Sequence, residues 1–544
     1  MPRPTSRTLA ALLLAAGTAA AMPVPSHAQA PAPAVASTAV TAAVTSEGAQ
    51  AIAAAVEAGI RKWFAADVTD GSVLWKGTTT ATASGDHYQV SLPFLSLVND
   101  DKSRLDVGVI RLAVKPLADG NHQVGIALPP SMPHFDAKGA PEGALTIGRQ
   151  QVFGVWAPRF QTFLSLDAAL GAIGITNNKG QARLNLADMA GKVDLKADGA
   201  GPNTYSGASS FTLGGLKAHD EKGVPVGSIG TLAIDATYGR LDLERLAKLT
   251  DSVPAAAPAA APTPSPQAAP SASGAPAPAP LPPMPAVPDV QGLFGGAGFT
   301  LRLDDIAFTD TDDGTRFGWK QARLQGGVDD LDKPMARATL GFSQNGLSFE
   351  PLPGPGEFLP QSVEFAMSMG KVPTAALSQA FSASSMPGLD IATAGAAAGF
   401  QFLGALGQAG SEIKVDRLSV VTPATAGTLN GQATFTQSAA FGAVGAFSLV
   451  MRGLDSAIRV LQPKGAKPDP DTQGTIQALT MIQALGQQSK DERGQELRTY
   501  RIDLTPEGKV MLNGTDLAPL LGGGEPAPEP APEPAPTKRG AKKT

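Results

Sequence analysis

The sequence predicts a β-rich α+β fold: two modules of antiparallel meander sheet with a few packing helices, joined by a linker rich in Pro and Ala. Short segments that alternate apolar and polar residues follow one another closely, without the crossover helices that a parallel sheet needs. Turn-forming residues separate them, and the chain contains 61 Gly and 47 Pro. A stretch of Ala, Pro and Ser from Pro254 to Pro288 divides the remainder into halves of similar size.

Composition changes along the chain divide it into six segments. We expect a signal peptide at 1–30, a low-complexity spacer at 31–45, a β-rich N-terminal module at 46–250, a Pro/Ala-rich linker at 251–296, a β-rich C-terminal module at 297–522, and a Pro/Glu/Ala tail with a basic end at 523–544. Proline fixes φ and removes a backbone donor, so the linker favours extended polyproline II and cannot pack a core. The tail is expected to be solvated and disordered.

The N-terminus has the pattern of a cleavable signal peptide. Arg3 and Arg7 precede an apolar run from Leu9 to Ala21, about 13 residues long, which falls short of the ~20 needed to span a bilayer. Ala28-Gln29-Ala30 then gives a small-residue cleavage site. We therefore expect a periplasmic protein with no transmembrane span in the mature chain, although secretion beyond the outer membrane stays open. The chain has no Cys, so any fold outside the cytoplasm must form without disulfides.

The N-terminal module is expected to open with one helix and continue as strands. Ile52, Val56, Ile60 and Trp63 fall on one helical face, with Ser46 as the N-cap. Alternating or β-prone segments predict the strands that follow: 87–92, 105–109, 111–115, 123–128, 144–147, 181–186, 192–197 and 209–213. The turn signal Asp119-Gly120-Asn121 predicts a hairpin.

The C-terminal module repeats this pattern. Strands are predicted at 411–418 and 445–451, helices at 454–461 and 475–485, and a final hairpin with strands at 498–504 and 510–514. Phe211-Thr212-Leu213 with Gly230-Thr231-Leu232 resembles Phe299-Thr300-Leu301 with Ala322-Arg323-Leu324, each pair flanking an acidic turn. Internal duplication and chance similarity between hairpins explain this match equally well.

Few residues have the arrangement of a catalytic or metal site. His87, His122, His134 and His219 lack metal-ligand spacing. Asp310, Asp312 and Asp313 could approach a Ca²⁺ ion, but the spacing is one residue short of an EF-hand, so a solvated hairpin loop is favoured. Ser368 and Lys371 have the spacing of a Ser/Lys nucleophile pair, yet Gly370 opposes the helix that such a pair needs.

We therefore predict no catalytic, cofactor-binding or metal-binding residues and no cofactor. The formal net charge of −5 also gives none of the basic character expected of a nucleic-acid-binding protein.

The segment from Gly445 to Leu461 and the final hairpin ending at Val510-Met511-Leu512-Asn513-Gly514 resemble uncharacterised exported β-rich envelope proteins of alphaproteobacteria, and more loosely AsmA-like envelope proteins. The resemblance covers about the last 80 residues and implies an envelope role. It supplies no catalytic residues.

These observations favour a non-enzymatic periplasmic envelope protein that binds a lipid, a lipoprotein or a protein partner on a concave β-sheet. Two alternatives remain. One is a structural or scaffold protein of the envelope that uses the linker as a spacer. The other is a hydrolase whose carboxylate site includes Asp310, Asp312 and Asp313.

Overall fold

The computed structural model describes residues 43–64, 71–252, 292–352, 354–384, 391–462, 470–492 and 494–517. The predicted signal peptide and tail, and most of the spacer and linker, lie outside these residues. Within them the fold is β-rich and antiparallel, as the sequence predicts. No helix of the described residues is both long enough and apolar enough to cross a membrane.

In the described residues up to 252, the chain forms two helices and thirteen strands. They are α1 (Ser46–Trp63), β1 (Val73–Lys76), β2 (Thr80–Ser84), β3 (His87–Ser91), β4 (Phe94–Val98), β5 (Arg104–Gly108), β6 (Arg111–Pro116), β7 (His122–Ala127), β8 (Ser131–Phe135), β9 (Pro141–Ala157), β10 (Thr162–Asn177), β11 (Ala182–Ala197), β12 (Thr204–His219), β13 (Pro225–Asp242) and α2 (Leu243–Ser252).

From residue 292 onward, the described part of the chain continues with long strands and four helices. They are β14 (Gly296–Thr309), β15 (Arg316–Asp329), β16 (Met335–Glu350), β17 (Ser362–Pro373), α3 (Thr374–Ser384), α4 (Ile391–Ala409), β18 (Glu412–Val421), β19 (Ala426–Phe435), β20 (Ala443–Arg452), α5 (Leu454–Leu461), α6 (Pro470–Leu485), β21 (Gln487–Lys490), β22 (Glu496–Leu504), β23 (Val510–Leu512) and β24 (Thr515–Asp516). A short 3-10 turn lies at Gly356–Phe358.

All of the described strands belong to one antiparallel sheet. From β9 to β20 each strand pairs with the next in sequence, and β22 follows β20. The sheet divides at β9, where β8 pairs with its first half and β7 with its second half. One branch continues through β5, β4 and β1, and the other through β6, β3 and β2.

The strands on either side of the linker are direct neighbours. β13 and β14 pair over twelve residue positions, from Gly227 opposite Phe308 to Gly239 opposite Gly296. The sheet is therefore continuous across the segment that separates the two modules in the sequence.

Several local predictions are confirmed and others are corrected. The helix at 454–461 and the hairpins β6–β7 and β22–β23 form where predicted. The N-cap of α1 is Thr45 rather than Ser46, because the Thr45 hydroxyl accepts a hydrogen bond from the Gly48 N–H at 3.0 Å. The separate strands predicted at 181–186 and 192–197 are one strand, β11.

One face of the sheet carries the apolar side chains. Leu170, Met189, Leu213, Leu232 and Leu303 lie opposite one another on five successive strands, so they share a face. The largest buried cluster packs Leu170, Met189 and Leu213 against residues of β5 and β8. The β8 branch therefore folds back and covers the apolar face of β10 to β12.

The long strands share an irregularity that keeps this face apolar. In the β12–β13 pairing, Leu213 pairs with Leu232 and Leu216 pairs with Ile229, but Gly215 and Gly230 between them do not pair. The same interruption crosses successive strands; we call it the bulge line. It is formed by Ala172, Ala187, Gly215, Gly230, Asp305, Lys320 and Gly346.

The bulge line alternates in backbone conformation. Ala172, Gly215, Asp305 and Gly346, on every second strand, have φ of +50°, +63°, +50° and +65°. Leu213 and Leu216 are three residues apart, so strict alternation would place them on opposite faces. Gly215, in the left-handed conformation between them, shifts the alternation by one residue, so the side chains of Leu213 and Leu216 both lie on the apolar face.

Candidate functional site: an apolar row across the sheet

A row of large apolar side chains crosses the sheet from β13 to β20. Each member lies directly opposite the next in the antiparallel register, so all of them project from one face. We call this the apolar row. It consists of Ile234, Leu301, Leu324, Phe342, Phe365, Leu418, Leu429 and Leu449.

The row is open along its length, and the residues that pair with its two end members on the neighbouring strands are buried. Phe211, which pairs with Ile234, is 8% exposed, and Tyr500, which pairs with Leu449, is 2% exposed. Ile234 and Leu418 are 37% and 36% exposed. The other six members are half-buried. An apolar surface of this extent, left partly accessible between two packed regions, is typical of an interaction surface.

Two covers define the ends of this open surface, and a third lies along one margin. Phe211 lies under the β5 and β8 branch. At the other end the Tyr500 hydroxyl donates a hydrogen bond of 2.8 Å to the Ile482 carbonyl of α6. Along one margin α4 packs on the same face, where Leu406 contacts Ala336 and Val372.

The dimensions of the row suit an extended apolar ligand. Eight neighbouring strands give seven inter-strand spacings of about 4.8 Å, or about 34 Å in total. The hydrocarbon core of a bilayer is about 30 Å thick and holds two acyl chains end to end. The row is therefore longer than one acyl chain.

The apolar face contains one buried polar pair beside the row. Gln344 is 7% exposed, lies two residues from Phe342, and accepts a hydrogen bond of 3.0 Å from Trp319 Nε1. Each group satisfies the other, which removes the cost of burying an unpaired polar atom.

Aromatic rings extend the face beyond the bulge line. Phe317 lies 6.3 Å from Phe308 and 5.2 Å from Phe349, measured between ring centroids. Phe308 is 48% exposed, so the apolar surface also reaches solvent here.

The opposite face of the sheet is polar. A cavity of about 450 Å³ on β9 to β13 is lined by Asp167, Lys192, Asp194 and Asp235 among others. Lys192 Nζ lies 3.9 Å from Asp167 Oδ2, and both side chains are well exposed. Solvent screening weakens such an ion pair, and the lining also includes Phe153, which is 40% exposed, so the cavity combines charged and apolar side chains.

The four histidines of the described residues, His87, His122, His134 and His219, lie on four different strands: β3, β7, β8 and β12. His87 Nδ1 lies 3.2 Å from Asp86 Oδ1, and His134 Nδ1 lies 3.3 Å from Glu142 Oε2. Burial lowers the pKa of His122. Within the described ranges, no three His, Asp or Glu side chains are placed to hold a metal ion.

The Asp310 cluster forms the turn between β14 and β15. Asp310, Asp312 and Asp313 are all exposed, and the lining of neither described cavity includes them. Asp310 Oδ1 accepts a 2.8 Å hydrogen bond from the Asp312 N–H, and Asp313 Oδ1 accepts one of 2.7 Å from the Thr315 N–H. The backbone N–H of Thr315 lowers the pKa of Asp313. These carboxylates shape a hairpin turn, which is the arrangement that the sequence favours.

Ser368 and Lys371 do not form a nucleophile pair. Both lie on β17, where the Lys371 ammonium contacts Glu412 at 2.5 Å and the Ser368 hydroxyl contacts Asp416 at 3.4 Å. The two side chains therefore have separate carboxylate partners. No helix brings Lys371 one turn from Ser368, because the residues between them are extended.

The apolar row is the feature that sequence reasoning missed. Each strand contributes one member, and neighbours in the row are between 11 and 67 residues apart in the chain. The available signal was a Phe or Leu at a matching position of each successive strand, which becomes visible only when the register is known.

Comparison with models of known protein families, with curated proteins and with solved structures finds no match to this chain.

Proposed function

We propose that this chain is a non-enzymatic envelope protein of the periplasm that binds the acyl chain of a lipid or lipoprotein along the apolar row. The observation that carries the proposal is the row itself: eight apolar side chains left half-buried or exposed between buried residues on the two flanking strands. Burying apolar surface is favourable by about 25 cal/mol per Å², so an acyl chain laid on the row would remove both surfaces from water.

The length and the surroundings of the row support an acyl chain as the occupant. An extended surface of about 34 Å accommodates a long flexible hydrocarbon. In the part of the chain that the structure describes, the covers close the ends and one margin of the row, so a ligand can enter from the open side. The carboxylates considered for hydrolysis lie in an exposed turn, so they offer less support for the alternative of a hydrolase.

Variants that add polarity to the open face test the proposal. Leu418→Gln changes a member of the row, and Leu340→Gln changes a 38% exposed neighbour on the same face of β16. Thr339→Gln is the matched control, because Thr339 is exposed and points to the opposite face. Binding of a fluorescent long-chain fatty acid is measured by titration.

We expect each leucine variant to weaken binding five- to tenfold, since losing the contacts of one leucine costs about 1 kcal/mol. The Thr339 control should bind as the unchanged protein does. Native mass spectrometry of the purified mature chain should also show co-purified lipid. A protein that is free of lipid and fails to bind the fluorescent fatty acid would rule the proposal out.

A further inference from the structure

A second cavity lies beside the end of the apolar row. It has a volume of about 510 Å³ and is lined by the loop Val421–Ala426, the end of β20, the first residues of α5 and Arg498 of β22. Its position can be derived from the strand register. Met451 is two residues beyond Leu449 and lies opposite Arg498, which is two residues from Tyr500.

The cavity therefore begins one side-chain repeat beyond the row. Two residues of a strand advance about 6.6 Å, and residues two apart share a face. A hydrocarbon chain that lies over Leu429 and Leu449 and then turns along β20 toward Met451 would bring its end group to the mouth of this cavity.

The cavity is rich in guanidinium groups. Arg452, Arg459 and Arg498 line it, against the two carboxylates of Asp455 and Glu496. Arg498 is paired with Glu496. The Asp455 carboxylate accepts a hydrogen bond of 2.5 Å from Gln483 Nε2.

Two of the three arginines form no ion pair with a described carboxylate, so their positive charge is available to a ligand. Arg459 donates to the Asp455 carbonyl at 3.3 Å and to the Ser456 hydroxyl at 3.1 Å, and neither acceptor neutralises it. Among the described residues, no carboxylate lies within 4.0 Å of the guanidinium of Arg452 or of Arg459. Arginine in this state is suited to bind phosphate or carboxylate through two parallel hydrogen bonds.

Two further sets of hydrogen-bond donors at the cavity also favour an anionic ligand. The Nε of Arg498 is buried and has no hydrogen-bond partner within the described residues. Buried donors are usually paired, so an unpaired one suggests a missing acceptor. The helix α5 starts at Gly453 without a side-chain cap, which leaves its first N–H groups at the cavity as well.

We propose that this cavity binds the anionic headgroup, a phosphate or a carboxylate, of an amphiphile whose hydrocarbon chain lies on the apolar row. The inference rests on the proposed function and adds the substrate class: an anionic single-headed lipid rather than a neutral one. The row supplies affinity through burial, and the arginines supply selectivity for charge.

A fatty acid and its methyl ester test this selectivity, since the two share one chain and differ in headgroup charge. The unchanged protein should bind the acid at least tenfold more tightly than the ester. The double variant R452Q/R459Q should weaken binding of the acid about tenfold, or about 1.4 kcal/mol, and leave the ester unchanged, because only the acid has a charge for the guanidinium groups to bind. R452Q alone, at an exposed side chain, should show an intermediate effect.

The matched control is R323Q, which removes an exposed arginine from the polar face of β15 and should change neither affinity. Inorganic phosphate is the competitor that separates a headgroup site from a site for a free anion. Displacement of the acid by phosphate at equal concentration would overturn the link to the row.

Equal binding of acid and ester by the unchanged protein would overturn the headgroup inference and leave the proposed function standing. Failure of both ligands to bind would instead refute the proposed function.

Discussion

Replacement of Leu406 by alanine tests whether α4 is a structural cover of the apolar face. Leu406 is 1% exposed and packs against Ala336 of β16 and Val372 of β17. Truncating a fully buried leucine removes three carbons and leaves a cavity, which costs about 3 kcal/mol. The same change at Leu403, on the same helix but 50% exposed, should cost under about 0.5 kcal/mol.

Hydrogen exchange measured by mass spectrometry locates the effect. If α4 opens as a unit, a loss of about 3 kcal/mol raises the exchange rate of its slow amides about a hundredfold. The increase should appear in a peptide covering residues 399–409 and be absent from a peptide of β3. The free energy of unfolding in urea should fall in L406A and not in L403A.

The reasoning would be wrong if L403A and L406A had equal effects, since the two residues differ in burial and share a helix. It would also be wrong if exchange increased equally in the peptide of β3. That result would mean that Leu406 supports the whole sheet rather than one cover.

Three further perturbations test other parts of the fold. Gly215→Ala should lower the free energy of unfolding by about 1–2 kcal/mol, because φ is +63° and the added Cβ would lie 2.9 Å from the Cβ of Ala187. Gly427→Ala is the control, because its added Cβ would meet only Met451 Cγ, at 4.0 Å. It should change the free energy of unfolding by under about 0.5 kcal/mol in the same urea titration. The Thr79 hydroxyl lowers the pKa of Glu57, so this interaction stabilises the fold above pH 4.5 and is lost as the pH falls through the depressed pKa. Thr79→Val should therefore reduce the loss of urea stability between about pH 5 and pH 3, and an unchanged acid response would refute this assignment. Cleavage of the chain between residues 252 and 292 leaves the twelve β13–β14 pairs intact, so the two fragments should co-elute on size-exclusion chromatography; separate elution would contradict the pairing.

Local features were predictable from the sequence because their signals are local. The final hairpin needs only alternation and a turn at Pro506–Lys509, and α5 needs only an apolar period between Gly453 and Pro463. The long strands were predicted as short pieces because the bulge line interrupts alternation. In β11, Leu186 and Met189 lie on one face although they are three residues apart, so the alternation in the sequence stops at Leu186.

Long-range features were not predictable for a different reason. The pairing of β13 with β14 joins segments separated by the linker, and no local pattern specifies that partner. The apolar row depends on the register of every strand between Ile234 and Leu449. A shift of one residue in any strand would turn its member to the polar face, so only the assembled sheet reveals the site.

The bulge line has a consequence for how the sheet can vary in size. Its left-handed residues occur on β10, β12, β14 and β16, so the repeating unit is a pair of strands rather than one strand. The hairpins β12–β13 and β14–β15 illustrate this unit, with Leu213 opposite Leu232 and Leu301 opposite Leu324. Insertion or removal of one such hairpin would preserve the apolar face and change the length of the row by two spacings, or about 10 Å. The number of hairpins thus sets the length of the apolar row.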